Sequence, residues 1–280
     1  MKKIFYFVLL LTIMSSCASS LPAKIMNESH SKRSFSADDT SKSVNPGPIK
    51  TRRVAFDKEV TNISNYTLVD IEYLPGKPGI EITGPENLIK LIMVQQSGSS
   101  LAIHADSEGY NYSNFKNISA KIYGKSLTHF QTFGTGNFKA SDLSGKKITL
   151  GLYGTGNIQL NSIDAPSVSL MDNGTGEISI KSINSSSVSI MNNGTGKISV
   201  GFKESQSSVN ILSNGTGDIF ATNISTEKLS IQNHGAGDVE VSGEATTANF
   251  NTSGIGDIDA SRLKTEKSNV MQSGLGDIKR

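Results

Sequence analysis

Residues 168–200 read VSLMDNGTGEISIKSINSSSVSIMNNGTGKISV, so that Val168–Ile180 returns twenty positions later as Val188–Val200 with four substitutions. The same period runs outward in both directions. The first glycine of a Gly-x-Gly unit stands at Gly134, Gly154, Gly174, Gly194, Gly215, Gly235, Gly254 and Gly274, at spacings of 20, 20, 20, 21, 20, 19 and 20. A constant period of this length marks a repeat architecture, in which each unit buries its apolar face only by stacking on its neighbours.

The apolar residues keep their offsets from the glycines. Four residues after the first Gly come Phe138, Ile158, Ile178, Ile198, Ile219, Val239, Ile258 and Ile278, and two further on Ala140, Leu160, Ile180, Val200, Ala221, Val241 and Ala260. Upstream lie the pairs Ile148/Leu150, Val168/Leu170, Val188/Ile190, Val209/Ile211, Leu229/Ile231 and Ala248/Phe250. Alternation with period 2 reads as strand. A third inward station holds Leu143, Ile163, Ile183, Ile224 and Leu263, with Lys203 and Glu244 interrupting it where the spacing slips. Three apolar stations in twenty residues predict an all-β chain wound as a parallel β-solenoid with three-sided coils.

Other repeat folds fail on specific grounds. A leucine-rich repeat needs its Leu-x-x-Leu-x-Leu order and a helical return arm, and the calcium-binding roll repeats every nine residues. An antiparallel sandwich or barrel does not call for constant column identity, which stacking of equivalent turns does. Glycine at the corner is expected both for a positive φ and for close stacking. The residue before the pair is Asn173, Asn193 and Asn214 in three successive coils, followed by Asn233-His234, which predicts a hydrogen-bonded Asn ladder.

The chain begins as an exported one. Lys2 and Lys3 precede an apolar run from Ile4 to Ile13, then Met14-Ser15-Ser16 lead into Cys17, the only cysteine. That order is a secretory signal, and a cysteine after small residues resembles a lipobox, in which cleavage over residues 1–16 frees Cys17 for acylation. Two or more acyl chains anchor stably to a membrane. Residues 17–50 are rich in Ser, Lys and Asp with Pro46-Gly47-Pro48 near their end, and read as a tether of roughly 30 residues. Net charge is +2 with 27 basic and 25 acidic residues, and loss of Lys2 and Lys3 with the signal leaves the two signs balanced. This excludes nucleic acid as a partner recognised through bulk charge.

Residues 51–130 lack the glycine period but alternate likewise, as in Val69-Asp70-Ile71-Glu72-Tyr73 and Gly79-Ile80-Glu81-Ile82-Thr83-Gly84-Pro85-Glu86-Asn87-Leu88, then Ser100-Leu101-Ala102-Ile103. They are expected to form an N-terminal β section or cap, ahead of the regular coils of residues 131–280. These segments, with the lipoprotein start and the Gly-Thr-Gly-Asn-Ile and Gly-Thr-Gly-Asp-Ile coils, resemble the auto-transporter adhesin, head-GIN domain proteins of Bacteroidetes, from about residue 51 to the C-terminus. The resemblance implies a right-handed β-helix on the cell envelope, with no catalytic residues to carry over.

Chemistry is sparse. A polysaccharide-cleaving β-helix needs a base and a cation within hydrogen-bond reach on one outward face, whereas these columns place Ser, Asn, Thr and scattered Lys there. Asp218, Asp238, Asp257 and Asp277 form one acidic column, a calcium candidate set against the plainer reading of turn residues that accept local backbone hydrogen bonds. His30, His104, His129 and His234 have neither metal-ligand nor triad spacing. Tyr110 and Tyr112 are candidate glycan contacts. Ala236, Ile255 and Leu275 replace the central Thr of Gly-Thr-Gly and form an apolar stripe if they point outward. The expected protein is a non-enzymatic outer-membrane lipoprotein without cofactor, an adhesin or binding scaffold that offers a polar β-helix face to a protein or glycan. The alternatives are a β-helix carbohydrate-active enzyme and a periplasmic structural protein. Ligand, membrane face and oligomeric state are open at this point.

Overall fold

A computed structural model describes residues 47–106 and 117–280. Over the regular repeats it is a β-solenoid of about eight turns. A coil consists of one strand such as Lys147–Leu152, the Gly-x-Gly turn, and a second strand such as Ile158–Asp164. Each strand lies parallel to its counterpart one coil on, so that Ile148 pairs with Val168, Val168 with Val188 and Val188 with Val209. Alternating β-branched residues suit a pleated surface with one buried side. The column from Phe138 through Ile158, Ile178, Ile198, Ile219 and Val239 to Ile258 has no solvent exposure. Full burial of a side chain of this size contributes about 1.5–3 kcal/mol. Alternation breaks once per coil: neither Asn161 nor Ser162 is buried between Leu160 and Ile163, and Asn161 drops out of the ladder register. The second strand bends there, which makes the third side.

The third inward station is more continuous than its sequence suggests. Lys203 and Glu244 are both exposed. One residue earlier, Phe202 pairs with Ile183 and turns its ring inward, and Gly243 pairs with Ile224. The slips in spacing are local bulges, which shift the count without emptying the core. Gly243 has φ +125°, and a Cβ there would stand 2.0 Å from the carbonyl oxygen of Ile224.

The Gly-x-Gly corners correct the conformational half of the expectation. Positive φ among described glycines occurs at Gly47, Gly98 and Gly243 and at no Gly-x-Gly position. The requirement is proximity. A Cβ on Gly194 would lie 2.1 Å from the carbonyl oxygen of Gly174, and one on Gly196 would lie 2.0 Å from that of Gly176. The same collision recurs at each later pair because the turns nest at strand spacing, with the amide of Thr195 donating to the Gly174 carbonyl at 2.9 Å.

The end of the stack nearer the N-terminus is built out of chain order. Strand Asn62–Asn65 lies between Ser100–Ala105 and His129–Thr132, parallel to both, and Asp70–Pro75 lies between Ser119–Gly124 and Phe138–Ser144. The coil formed first along the chain is therefore interior. Beyond it, Gly79–Pro85 runs antiparallel to both Ile49–Ala55 and Ser119–Gly124, and Ile92–Ser97 runs antiparallel to Ser100–Ala105. A single helical turn, Glu86–Ile89, buries Leu88 and Ile89 over the core. Reversed strands and a helical plug stop parallel stacking and keep the apolar interior from water at this end.

The nesting predicts a sharp contrast between adjacent residues. Gly194→Ala forces a methyl into a carbonyl oxygen and should lower the unfolding free energy in a urea titration by on the order of 3 kcal/mol. Thr195→Ala, with its side chain in solvent, should stay within about 0.5 kcal/mol of the parent. Equal losses would contradict the nested-turn geometry.

Candidate functional site

Registered stacking turns each outward position into a column, and the columns differ in chemistry. The column just before the glycines begins with aromatic rings. Tyr66 stacks on His104 at 4.6 Å between centroids and on Phe133 at 4.8 Å, and Phe133 stacks on Tyr153 at 4.8 Å, all within 15° of parallel. Coil spacing and ring-stacking distance coincide. Gly151 makes room for the last ring, since a Cβ there would lie 2.9 Å from Cε2 of Tyr153. The Tyr153 hydroxyl reaches the Met171 sulfur at 3.5 Å. From Asn173 the column continues as amides: Asn193 Nδ2 donates to Asn173 Oδ1, and Asn214 Nδ2 to Asn193 Oδ1, both at 2.8 Å. The Asn ladder matches its sequence reading. The aromatic one was missed, although Phe133 and Tyr153 occupy the same offset from Gly134 and Gly154. Tyr66 and His104 carry no such signal, because the fold-back alone brings them into line.

The acidic column is aligned, and its members are tied to the backbone. Asp218 Oδ1 accepts the amide of Asp238 at 2.9 Å, Asp238 Oδ1 that of Asp257 at 2.8 Å, and Asp257 Oδ1 that of Asp277 at 2.9 Å. Asn137 and Asn157 play the same part earlier, accepting from Asn157 and Glu177. The backbone bond from Asp277, then the hydrogen bond from Lys279 Nζ at 3.1 Å, hold the Asp257 carboxyl below its usual range. No group of three or more His, Cys, Asp and Glu is placed to hold a metal ion among the described residues. The central residues of the turns do point outward, with Ile255 62% and Leu275 85% exposed. Cys17, His30, Tyr110 and Tyr112 lie outside the described residues.

A second polar column, unread in the sequence, runs inside the corner two residues before six of the eight first glycines, at Thr132, Asp172, Asn192, Ser213, Asn233 and Thr252, with Leu152 interrupting it. Asn192 Oδ1 accepts the Gly194 amide at 3.0 Å while its Nδ2 donates to the Gly196 carbonyl at 2.8 Å, and Asn233 clasps its own turn likewise. Asp172 stands at this position one coil earlier. Its Oδ1 accepts the Gly174 amide at 2.8 Å, but Oδ2 is buried without a partner. Burial pushes its carboxyl up from 3.8 to about 6, only partly offset by the Gly174 bond. A perturbed acid often marks a catalytic centre; this one is fully enclosed, so its chemistry is that of the turn.

Two outcomes follow. A folded pKa above the unfolded one adds stability that is complete below the unfolded value and is lost as pH rises through about 6. Asp172→Asn restores the missing donor. It should raise the unfolding free energy by on the order of 2 kcal/mol at pH 7 and by much less at pH 4, as thermal melts across that range would record. In the outer column, Asp238→Asn keeps the acceptor for Asp257 and removes a repelling charge, so its melting temperature should equal or exceed the parent's. Asp238→Ala should lose about 1 kcal/mol.

Comparison with known proteins places the fold. The family model described as "Putative auto-transporter adhesin, head GIN domain" matches residues 61–200 and 184–279. No curated protein matches the chain. Among solved structures, a "putative lipid binding protein" from Parabacteroides distasonis is similar at TM-score 0.69 and 22% identity, over 84% of this chain and 98% of that one. A "putative adhesin" from the same organism aligns at TM-score 0.69 and 19% identity, over 83% and 97%. One from Bacteroides fragilis aligns at 0.59 and 22%, over 83% and 96%. With its Gly-x-Gly coils matched along this length, the chain belongs to the family described as "Putative auto-transporter adhesin, head GIN domain".

Proposed function

We propose that the protein is a non-enzymatic binding scaffold of the bacterial outer membrane, lipid-anchored through Cys17 and carried clear of the bilayer by residues 17–50. The observation that carries this reading is the registered outward columns, in which the same small set of side chains repeats from coil to coil. Repetition supplies contact area, which adhesion uses, whereas catalysis needs different groups converging on one point. The one carboxyl among the described residues that is pushed far above its usual range, Asp172, is enclosed within a turn. The family's description as adhesins supports the same reading. Anchoring rests on the order Met14-Ser15-Ser16-Cys17 behind a charged and apolar leader.

Protease shaving of intact cells tests it, with a known periplasmic protein as internal control. Selective loss of this protein is expected, together with release from the membrane fraction in a Cys17→Ser variant. Protection in intact cells with digestion after lysis would overturn surface display and turn the reading to a periplasmic role.

A further inference from the structure

Charged residues make up 19% of the chain, yet a stripe three columns wide along one face of the solenoid has none, and the column that borders it on the same strands, Lys147, Ser167, Ser187, Ser208, Lys228, Thr247 and Lys267, is charged at three lysines alone. Three adjacent outward columns run through the strands that precede the Gly-x-Gly turns. One passes from His129 through Thr149, Ser169 and Ser189 to Asn210, the next from Gln131 through Met171 and Met191 to Leu212, and the third is the aromatic and Asn ladder. From Ser100–Ala105 at one end to the last long strand, Ile258–Gln272, no position in these columns is Asp, Glu, Lys or Arg. The cap extends the face without charge, since Met93, Gln95 and Ser97 pair with His104, Ala102 and Ser100. Burial holds the imidazoles of His104 and His129 below their usual pKa, which disfavours their charged form. The neighbouring outward face, by contrast, carries Lys139, Glu240, Asp259 and Lys279.

We propose that this uncharged stripe is a binding site for a neutral polysaccharide laid along the stack. The inference deepens the adhesin reading and rests on it. Absence of charge over so long a stripe removes the electrostatic steering and specificity on which protein partners draw, and it leaves nothing within the stripe to pair with an acidic polymer, Lys147, Lys228 and Lys267 standing at its border. What remains is suited to sugar: ring edges and a phenol at Tyr66, which is 43% exposed, and rows of amides and hydroxyls. Asn193, in the middle of the ladder, spends one N–H and one lone pair on its neighbours along the column, while Asn173 spends a lone pair and Asn214 an N–H. An amide has two N–H donors and an acceptor oxygen with two lone pairs, so a donor and an acceptor per coil stay available to sugar hydroxyls. The face is an open sheet, and a surface groove of about 500 Å³ lined by Ser205, Ser225, Glu244 and Lys264 opens at another corner and is charged. An extended polymer that meets equivalent groups in every coil fits this shape better than a small ligand that needs enclosure.

Affinity electrophoresis of the full mature chain carrying Cys17→Ser, through gels containing galactomannan, hydroxyethyl cellulose or dextran, is the test. Retardation by at least one of these neutral polymers is expected, unchanged by 0.5 M salt and absent with polygalacturonate. The double variant Tyr66→Ala/Tyr153→Ala should weaken that retardation at least tenfold, and so should Asn193→Asp/Asn214→Asp, which keeps side-chain shape and adds charge. Lys139→Ala on the neighbouring face should leave it unchanged, and far-ultraviolet circular dichroism identifies any variant that has lost its fold. No retardation by any neutral polymer, or retardation that the folded face variants retain, would overturn the proposal. So would a parent that sediments as a dimer with the Tyr66→Ala/Tyr153→Ala variant monomeric, since the face would then join two copies. Surface display in the shaving experiment without polysaccharide retention would refute the glycan assignment alone, and protection from shaving would refute the adhesin reading itself.

Discussion

The carbonyl oxygen of one turn occupies the space that a side chain on the next turn would need. At Gly174 and Gly194, and again at Gly196 and Gly217, where a Cβ would stand 1.7 Å from the Gly196 oxygen, this contact leaves hydrogen as the one substituent that fits. It also sets the register. With the turns nested, each coil can place its strands only where the previous coil placed them, and the side chains follow into columns. Where a slip in length occurs, as at Phe202 and Gly243, a bulge absorbs it before the next turn is reached.

Column formation has opposite consequences for different groups. Apolar side chains gain a continuous core. Aromatic rings gain stacking partners at the coil spacing, and amides gain donors and acceptors above and below. Carboxylates would suffer repulsion, and the Asp218-to-Asp277 column offsets it by giving one oxygen of Asp218, Asp238 and Asp257 a backbone amide from the next coil. Asp172 shows the limit of that device. Enclosed in the corner, its second oxygen has no donor, whereas Asn192 in the next coil meets the same geometry with an N–H to spare. A stack thus favours neutral groups that can both donate and accept, as the Asn173, Asn193 and Asn214 ladder shows.

The two ends of the molecule solve different problems. Toward the cap, antiparallel strands and the Glu86–Ile89 turn end the parallel order and bury Leu88 and Ile89. Thr67 and Val69 stand there where later coils have glycine, beneath Gly134 and Gly136, and both are buried. The turn of this coil therefore carries side chains where the turns stacked after it carry glycine. Toward the other end, exposure rises along Ile258–Gln272, with Met271 65% exposed.

Sequence alone determined the coil: its length, its inward stations, the Asn ladder and the line of Asp218, Asp238, Asp257 and Asp277. The reason is that parallel stacking at a fixed period writes spatial neighbours as residues about twenty apart, so that a column in space is a column in the text. Only the tertiary structure decided what that rule does not reach. It placed the coil of residues 62–75 inside the stack and the strands Ser100–Ala105 and Ser119–Gly124 outside it, because a chain that folds back breaks the correspondence between order and position. It thereby assembled Tyr66 and His104 with Phe133 and Tyr153, and exposed a neutral stripe whose unity is invisible in the sequence, where its residues alternate with buried ones. It also reassigned the glycines from backbone conformation to clearance, since φ depends on how a turn closes and the approach of a carbonyl depends on the coil beneath it.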